Sequence, residues 1–212
     1  MKSIVILISG RGSNLEALLQ AKLPCKVAAV ISNRADAPGL EIARQHGIAT
    51  EVVAHRDHLE RESFDSTLAS RIDHYQPDLI ILAGFMRILT PQFVARYRGK
   101  LMNIHPSLLP AYSGLDTHAR ALQDGVKMHG CTVHFVTDDL DHGPIIIQAA
   151  VPVLMHDTKE TLAARVLHQE HRIYQQAICW FCNGHLSLSA DGKVLLQRLE
   201  LPGCALIAPG LE

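Results

Sequence analysis

The chain has 212 residues, of which 48% are hydrophobic and 19% charged, and its formal net charge is −1. That length suits one α/β domain over residues 1–212 and is short for two. The balanced charge excludes a global field that recruits nucleic acid or an anionic membrane, so an anionic substrate must be held by local groups. No apolar run reaches spanning length, and Ile4 to Ile8, ended by Ser9-Gly10, is too short for a targeting segment. The cysteines Cys25, Cys131, Cys179, Cys182 and Cys204 are odd in number and lack framework spacing, which suits a reducing, cytoplasmic setting.

Ser3 to Ser9 (SIVILIS) is a continuous β-branched run, as expected of a strand covered on both faces. Ser13 to Lys22 carries a helical stripe of Leu15, Leu18 and Leu19. Lys26 to Ser32 is a second strand, Ala37 to His46 a helix with Gly47 as its C-terminal cap, and Thr50 to Ala54 a third strand. A helix is expected from Asp57 to Tyr75, with Phe64, Leu68, Ile72 and Tyr75 on one face and Pro77 ending it. Asp78 to Ala83 is a fourth buried strand. Thr90 reads as an N-cap with Pro91 at the first helical position, for a short helix to Tyr97. Leu101 to Ile104 is a strand, Thr117 to Leu122 a short helix closed by Asp124-Gly125, and Gly130 to Val136 an alternating strand. Pro144 to Val153 is a further strand, bent near Gln148-Ala149. Asp157 with Glu160 reads as an aspartate version of a capping box opening the last helix, to Phe181. Leu186 to Ser189 and Lys193 to Leu196 suggest a C-terminal hairpin. Cys179-Trp180-Phe181-Cys182 matches C-x-x-C, but it closes a helix instead of opening one after a strand, so the thiols read as core packing.

Alternating strands and helices predict an α/β fold, a Rossmann-like and mostly parallel sheet with flanking helices and a short C-terminal hairpin. Sites in such sheets lie at the carboxyl ends of the strands. The loops Ser9 to Asn14, Gly84 to Leu89 and Ile104 to Gly114 all fall there. In the first, Gly10 and Gly12 let backbone approach a ligand, and Ser13, Asn14 and the first helical N–H groups can donate to a phosphate. Leu15 stands where a dinucleotide fingerprint needs its third glycine, Ser32-Asn33 replaces the acid after strand two, and G-K-[ST] is absent. A single phosphate therefore fits better than a nucleotide. Arg11 reads as a solvated loop arginine.

Asn103 and His105 lie two residues apart on a strand and so share one side. An amide and an imidazole at a strand exit suit a reaction with a developing oxyanion: one donates a hydrogen bond, the other moves a proton. Pro106 and Pro110 restrict the next loop. Asp138 to Asp141 ends a later strand and can supply a carboxylate that favours the charged imidazole. No serine or cysteine paired with a base is evident. His168 and His171 share a helix but lack H-E-x-x-H order, so no metal is expected. His142 reads as exposed.

The segments ISGRGSN (8–14), SNRADAPGLEIA (32–43), LAGFMRIL (82–89), NIHPSLLP (103–110), THARAL (117–122), GCTVHFV (130–136), DHGPII (141–146) and QEH (169–171) run in order over nearly the whole chain. As a set they resemble the phosphoribosylglycinamide formyltransferases, the folate-dependent transformylases of purine biosynthesis. The resemblance implies the formyltransferase fold as a single domain. It also implies transfer of a formyl group from 10-formyltetrahydrofolate, a co-substrate, to the amine of glycinamide ribonucleotide, with no metal. By motif, Gly12, Ser13 and Asn14 correspond to the ribonucleotide phosphate loop and Glu170 to a ribose contact. Arg87, with Met86, Ile88 and Leu89, corresponds to the folate pocket, and Arg61 to a further folate-side position. Thr137, Asp138, Asp139, Leu140 and Asp141 correspond to the loop closing over folate, which Asn103 also meets. Asn103, His105 and Asp141 match the catalytic trio. The implied partners are small-molecule substrates, with no nucleic acid and no membrane, on a monomer or homodimer.

Three rivals share the scaffold. A formyltetrahydrofolate deformylase should carry an N-terminal regulatory domain, whereas this chain starts straight into strand one. A methionyl-tRNA formyltransferase should carry a C-terminal RNA-binding domain and a basic surface. A non-catalytic folate- or phosphate-binding module has no need of the intact trio.

Overall fold

β1 (Lys2–Ile8) explains the architecture. Its Ile4, Ile6 and Ile8 enter one buried cluster and its Val5 and Leu7 another, so the strand is apolar on both faces because both are covered. The computed structural model describes residues 1–189 and 191–197, and Cys204 lies outside them. After β1 come α1 (Ser13–Gln20), β2 (Cys25–Ser32), α2 (Gly39–Gln45), β3 (Ala49–Val52), a 3₁₀ turn (His55–Asp57), α3 (Arg61–His74) and β4 (Leu79–Leu82). Then follow α4 (Pro91–Arg96), β5 (Leu101–His105), α5 (Thr117–Gln123), β6 (Met128–Phe135), β7 (Ile145–Pro152), α6 (Lys159–Cys182), β8 (Leu186–Leu188) and β9 (Val194–Leu196).

The central sheet has seven strands in the order β3-β2-β1-β4-β5-β6-β7, and β8 and β9 form the expected hairpin. β1 to β5 are parallel, while β5–β6 and β6–β7 are antiparallel. The chain winds outward from β1 to β3 and then crosses back to β4, so the order reverses between β1 and β4 and opens a crevice at their carboxyl ends. Ser9 and Met86 meet there, the Met86 N–H donating to Ser9 Oγ at 2.7 Å. On one face α1, α2 and α6 cover the sheet; on the other α3 and α4 do. Tyr174 of α6 is fully buried and its hydroxyl lies 3.0 Å from the carbonyls of both Leu82 and Met102.

Several local expectations hold in detail. Thr90 caps α4, accepting from the Phe93 N–H, with Pro91 at the helix start. Gly47, at φ 68, closes α2 with Gly47 N–H to Arg44 O at 2.9 Å and Ile48 N–H to Ala43 O at 3.0 Å, a Schellman pair. Others are corrected. The helix expected from Asp57 begins only at Arg61: Leu59 is fully exposed and Glu60 is extended, because the apolar stripe supplies no anchor before Phe64. At its other end the helix closes as expected at Tyr75, which packs against the cluster of Phe64, Leu68 and Ile72 and donates its hydroxyl to Glu51. The cap of α6 is Thr158, paired reciprocally with Thr161. Asp157 is taken up by Arg165, at 2.7 and 2.8 Å. The irregularity in β7 lies at Ile146, where the ladder passes from Val133↔Ile147 to His134↔Ile145, and not at Gln148-Ala149.

Candidate active site

The glycine loop after β1 carries φ 85 at Gly12, which is the N-cap of α1. No side chain caps this helix, so its first-turn N–H groups are left for a ligand. Ser13 is the first helical residue and is exposed. The loop is closed from behind by α2, whose Gly39 N–H donates to Gly10 O at 3.1 Å. A Cβ on Gly12 would come within 2.9 Å of Gly39 Cα, so two glycines are needed for that approach. Asn14 and Glu170, 156 residues apart, meet: Asn14 Nδ2 donates to Glu170 Oε2 at 2.8 Å. Glu170 is buried, which raises its pKa, partly offset by the Asn14 bond. Asn14 Oδ1 is buried without a hydrogen-bond partner. Arg11 is exposed.

Across the switch crevice, Met86 and Ile88 are 66% and 58% exposed, an apolar pair with no cover on the loop after β4, while Leu89 is half-buried. Arg87 turns the other way, its guanidinium 5.7 Å over the Phe64 ring, with Nε unpartnered. Arg61 is exposed at the first position of α3, one turn before Phe64.

On β5, Met102 and Ile104 enter the α6-side core, so Asn103 and His105 point the opposite way. Antiparallel pairing sets Asn103 beside His134 and His105 beside Thr132. His134 Nδ1 is 2.9 Å from Phe135 O, to which only a protonated nitrogen can donate. Its Nε2 is then a bare acceptor for Asn103 Nδ2 at 3.2 Å. Burial lowers the His134 pKa, which keeps that neutral tautomer. The loop after His105 is pinned by Thr132, whose hydroxyl accepts from the Leu109 N–H and donates to Ser107 O at 2.7 Å.

His105 Nε2 donates to Tyr112 O at 2.9 Å, and Nδ1 stands 3.4 Å from Asp141 Oδ2, an ion-pair contact longer than a formed hydrogen bond. Both ring nitrogens therefore face oxygen. Asp141 Oδ2 accepts the Gly114 N–H at 2.8 Å. Tyr112, Asp116 and Asp141 all have left-handed backbone, φ 56, 54 and 56, at a cost of about 1–2 kcal/mol each. Backbone strain of this kind clusters at working sites. Thr137, Asp138, Asp139 and Leu140 form an exposed turn, with Thr137 Oγ1 donating to Asp139 O at 3.4 Å. His142 is exposed and its ring stays within that turn, bonded to Leu140 O. Among the described residues no group of three or more His, Cys, Asp or Glu is arranged to hold a metal ion, and no helix is long and apolar enough to cross a membrane.

The structure thus joins Asn14 to Glu170 and His105 to Asp141, and sets Met86 to Leu89 across the crevice from the glycine loop. Residues the motif reading left without roles also matter: Ser9, Gly39, Tyr112, Thr132 and His134. The available signal was the alternation Thr132-Val133-His134, polar at every second position in an otherwise apolar strand.

Residues 2–178 match the family model described as formyl transferase. The chain is 54% identical to a phosphoribosylglycinamide formyltransferase of Escherichia coli over 208 residues, covering 96% of this chain and 98% of that one. It is 44% identical to the protein of that name from Haemophilus influenzae, covering 92% and 96%. The crystal structure of glycinamide ribonucleotide transformylase 1 from Symbiobacterium toebii superposes with a TM-score of 0.89 at 47% identity, covering 92% of this chain and 94% of that one. With glycine loop, strand-exit amide and imidazole, and fold all in agreement, the chain belongs to the formyl transferase family.

Proposed function

We propose that this chain transfers the formyl group of 10-formyltetrahydrofolate to the amine of N1-(5-phosphoribosyl)glycinamide, releasing the formylated ribonucleotide and tetrahydrofolate. The observation that supports the reading is the clustering of Asn103, His105 and Asp141 on β5 and its neighbouring loops, in the same sheet as two unlike half-sites after β1 and β4: uncapped helix N–H groups at Gly12 to Asn14, and the exposed apolar side chains of Met86 and Ile88. The first suits a phosphate; the second suits a flat apolar ring system. Glu170 serves the ribose hydroxyls, Met86 to Leu89, Arg87 included, form the folate pocket with backbone groups toward the pterin, Arg61 is a further folate-side position, and Thr137 to Asp141 are the covering turn. One sheet covered on both faces supports reading residues 1–212 as a single domain, and free, partly exposed thiols suit a cytoplasmic setting.

The amine must arrive neutral. It attacks the formyl carbon and places negative charge on the formyl oxygen. Asn103 has one N–H committed to His134 and a second free to donate to that oxygen. His105 supplies the second donor once substrate displaces the Tyr112 carbonyl from Nε2. It then helps move a proton from the attacking amine to the departing folate nitrogen, directly or through water, as the tetrahedral intermediate collapses and the folate C–N bond breaks. Asp141 holds the ring and balances its charge. Removing one oxyanion donor costs about 10²–10³ in rate.

The test is acceptor dependence. Purified protein should consume 10-formyltetrahydrofolate only when glycinamide ribonucleotide is present. Hydrolysis without acceptor would assign a deformylase, and no turnover with both substrates would leave only a binding module.

A further inference from the structure

His105, Thr132 and Gln148 stand in one row across β5, β6 and β7, each the register partner of the next. Opposed residues of antiparallel strands project on the same side of the sheet, so the row lies on the face that carries Asn103 and His105. β7 is an edge strand, and Gln148 is exposed on it. No packing requirement asks for an amide there. Both hydrogens of that amide are nevertheless committed: Gln148 Nε2 donates to Leu109 O at 2.9 Å and to Thr132 Oγ1 at 2.9 Å.

These two bonds decide how the Thr132 hydroxyl is turned. Its oxygen has two lone pairs and one hydrogen. The Leu109 N–H, at 3.0 Å, and the Gln148 amide take the lone pairs, so the hydrogen goes to Ser107 O at 2.7 Å. Thr132 is fully buried, and its hydroxyl is thereby saturated. The amide cannot turn over, because its oxygen would then face the Leu109 carbonyl, a group that only accepts. Ser107 and Leu109 belong to the segment that runs from His105 to Tyr112. The Ser107 N–H donates to His105 O at 2.9 Å, and Ser107 Oγ donates to Ala111 O at 2.6 Å. Tyr112, the next residue, presents the carbonyl that faces His105 Nε2. A Cβ on Gly130 would come within 2.9 Å of Leu108 Cδ2, so this segment lies directly on β6.

We propose that Gln148 is a positioning residue for formyl transfer: by fixing Thr132 as the donor to Ser107, it holds the His105–Tyr112 segment and through it the catalytic imidazole. The inference rests on the function proposed above. Gln148 itself touches no reacting group, since it stands two strands from His105, about 10 Å at ~4.8 Å per strand. When its donors are removed, water at the exposed edge satisfies Leu109 O, so stability changes little. Thr132 is then free to turn its hydrogen away from Ser107, and the segment loses its outer attachment. A misplacement of about 1 Å costs up to about 10² in rate. The glycine loop, Met86 and Ile88 lie after other strands and are untouched, so the loss falls on kcat and not on KM.

The experiment compares full-length Gln148→Ala, Gln148→Glu and Gln148→Lys with the wild type. Glutamate keeps the shape and removes both donors; lysine keeps donors and changes the shape. In the alanine and glutamate variants kcat should fall at least about 5-fold, with KM for both substrates within about 2-fold of wild type, and lysine should recover most of the loss. Amide hydrogen exchange reads the attachment independently of the reaction: at Leu109 and Ser107 it should speed up at least about 5-fold in the alanine and glutamate variants. A glutamate variant as fast as wild type would reduce the amide to a filler of space. A loss carried by KM would move Gln148 to substrate binding, and unchanged exchange at Leu109 would show that the attachment does not depend on it. Each of these results overturns the proposal. If the wild type transfers no formyl group, the function reading fails on that measurement alone, and the exchange rates still decide whether Gln148 holds the segment.

Discussion

His134→Phe separates positioning from chemistry in the catalytic cluster. Phenylalanine keeps the ring volume and removes the Nε2 acceptor that faces Asn103 at 3.2 Å. A neutral hydrogen bond of this kind contributes about 0.5–1.5 kcal/mol, a bias of about 2- to 13-fold between the two orientations of the Asn103 amide. Without it the amide flips freely and a substantial share of molecules present the wrong edge. Turnover should fall by less than about 2-fold, because free flipping still leaves about half of the amides correctly turned, against about 10²–10³ for Asn103→Ala, which deletes the donor itself. The assay is kcat and KM for both substrates in His134→Phe, Asn103→Ala and the double variant. Because His134 acts through Asn103, the double variant should be no slower than Asn103→Ala alone. A loss in His134→Phe as large as that in Asn103→Ala, or a full further loss in the double variant, would refute the reasoning and give His134 its own part in the chemistry. The Phe135 carbonyl loses a donor in this variant, so unfolding must be measured beside activity.

Gly12→Ala should lower stability by about 2–4 kcal/mol in denaturant unfolding and raise KM for the ribonucleotide, since it adds left-handed strain to a backbone contact at 2.9 Å. Gly47→Ala, at φ 68 with open space around it, should cost only about 1–2 kcal/mol and leave KM unchanged. Glu170→Gln should raise Tm at neutral pH while raising ribonucleotide KM. The folded state raises the Glu170 pKa, so its contribution to stability is full below the ordinary carboxylate range and is lost as pH rises through the raised value. A lower Tm at neutral pH would contradict that sign. His129 behaves in the opposite sense: burial lowers it from 6.5 to about 4, so stability is full above about 6.5 and is lost as pH falls toward 4. Thermal unfolding across that range should show a shallower decline in His129→Gln. Thr158→Ala should destabilise by about 1 kcal/mol through loss of the reciprocal cap with Thr161, read by denaturant midpoint.

The parts of this fold written locally were readable in the sequence. β1 and β4 announce themselves because strands covered on both faces need unbroken apolar runs. Thr90-Pro91 and Gly47 carry their own stereochemistry. The acidic segment that supplies His105 with a carboxylate was readable, but Asp141 reaches it from the loop after β6, whose end pairs with Met102 near the start of β5, and not from a strand end. What stayed hidden depends on register or on competition. Asn103 meets His134 only because β6 runs antiparallel to β5 in one of several registers. Asp157 looked like the cap of α6, but Arg165, eight residues on, claims it and leaves the role to Thr158. The Tyr112 carbonyl and the Gly114 N–H are backbone groups, whose direction no side-chain pattern states.

The shared hydroxyl of Tyr174 limits how this chain can change its length. Tyr174 fastens α6 to β4, which leads into the Met86–Leu89 loop, and to β5, which carries Asn103 and His105, and Glu170, one turn earlier on the same helix, reaches Asn14 beside the glycine loop. Inserting or deleting a single residue between them would rotate one about 100° from the other. Either the hydroxyl would leave its two carbonyls or the carboxylate would leave Asn14. The interval from 170 to 174 is therefore fixed in length by two separate attachments, whereas the exposed turn at 137–140 can gain or lose residues without breaking either. Natural or engineered variants of this scaffold should differ in length over the covering turn and keep the spacing on α6.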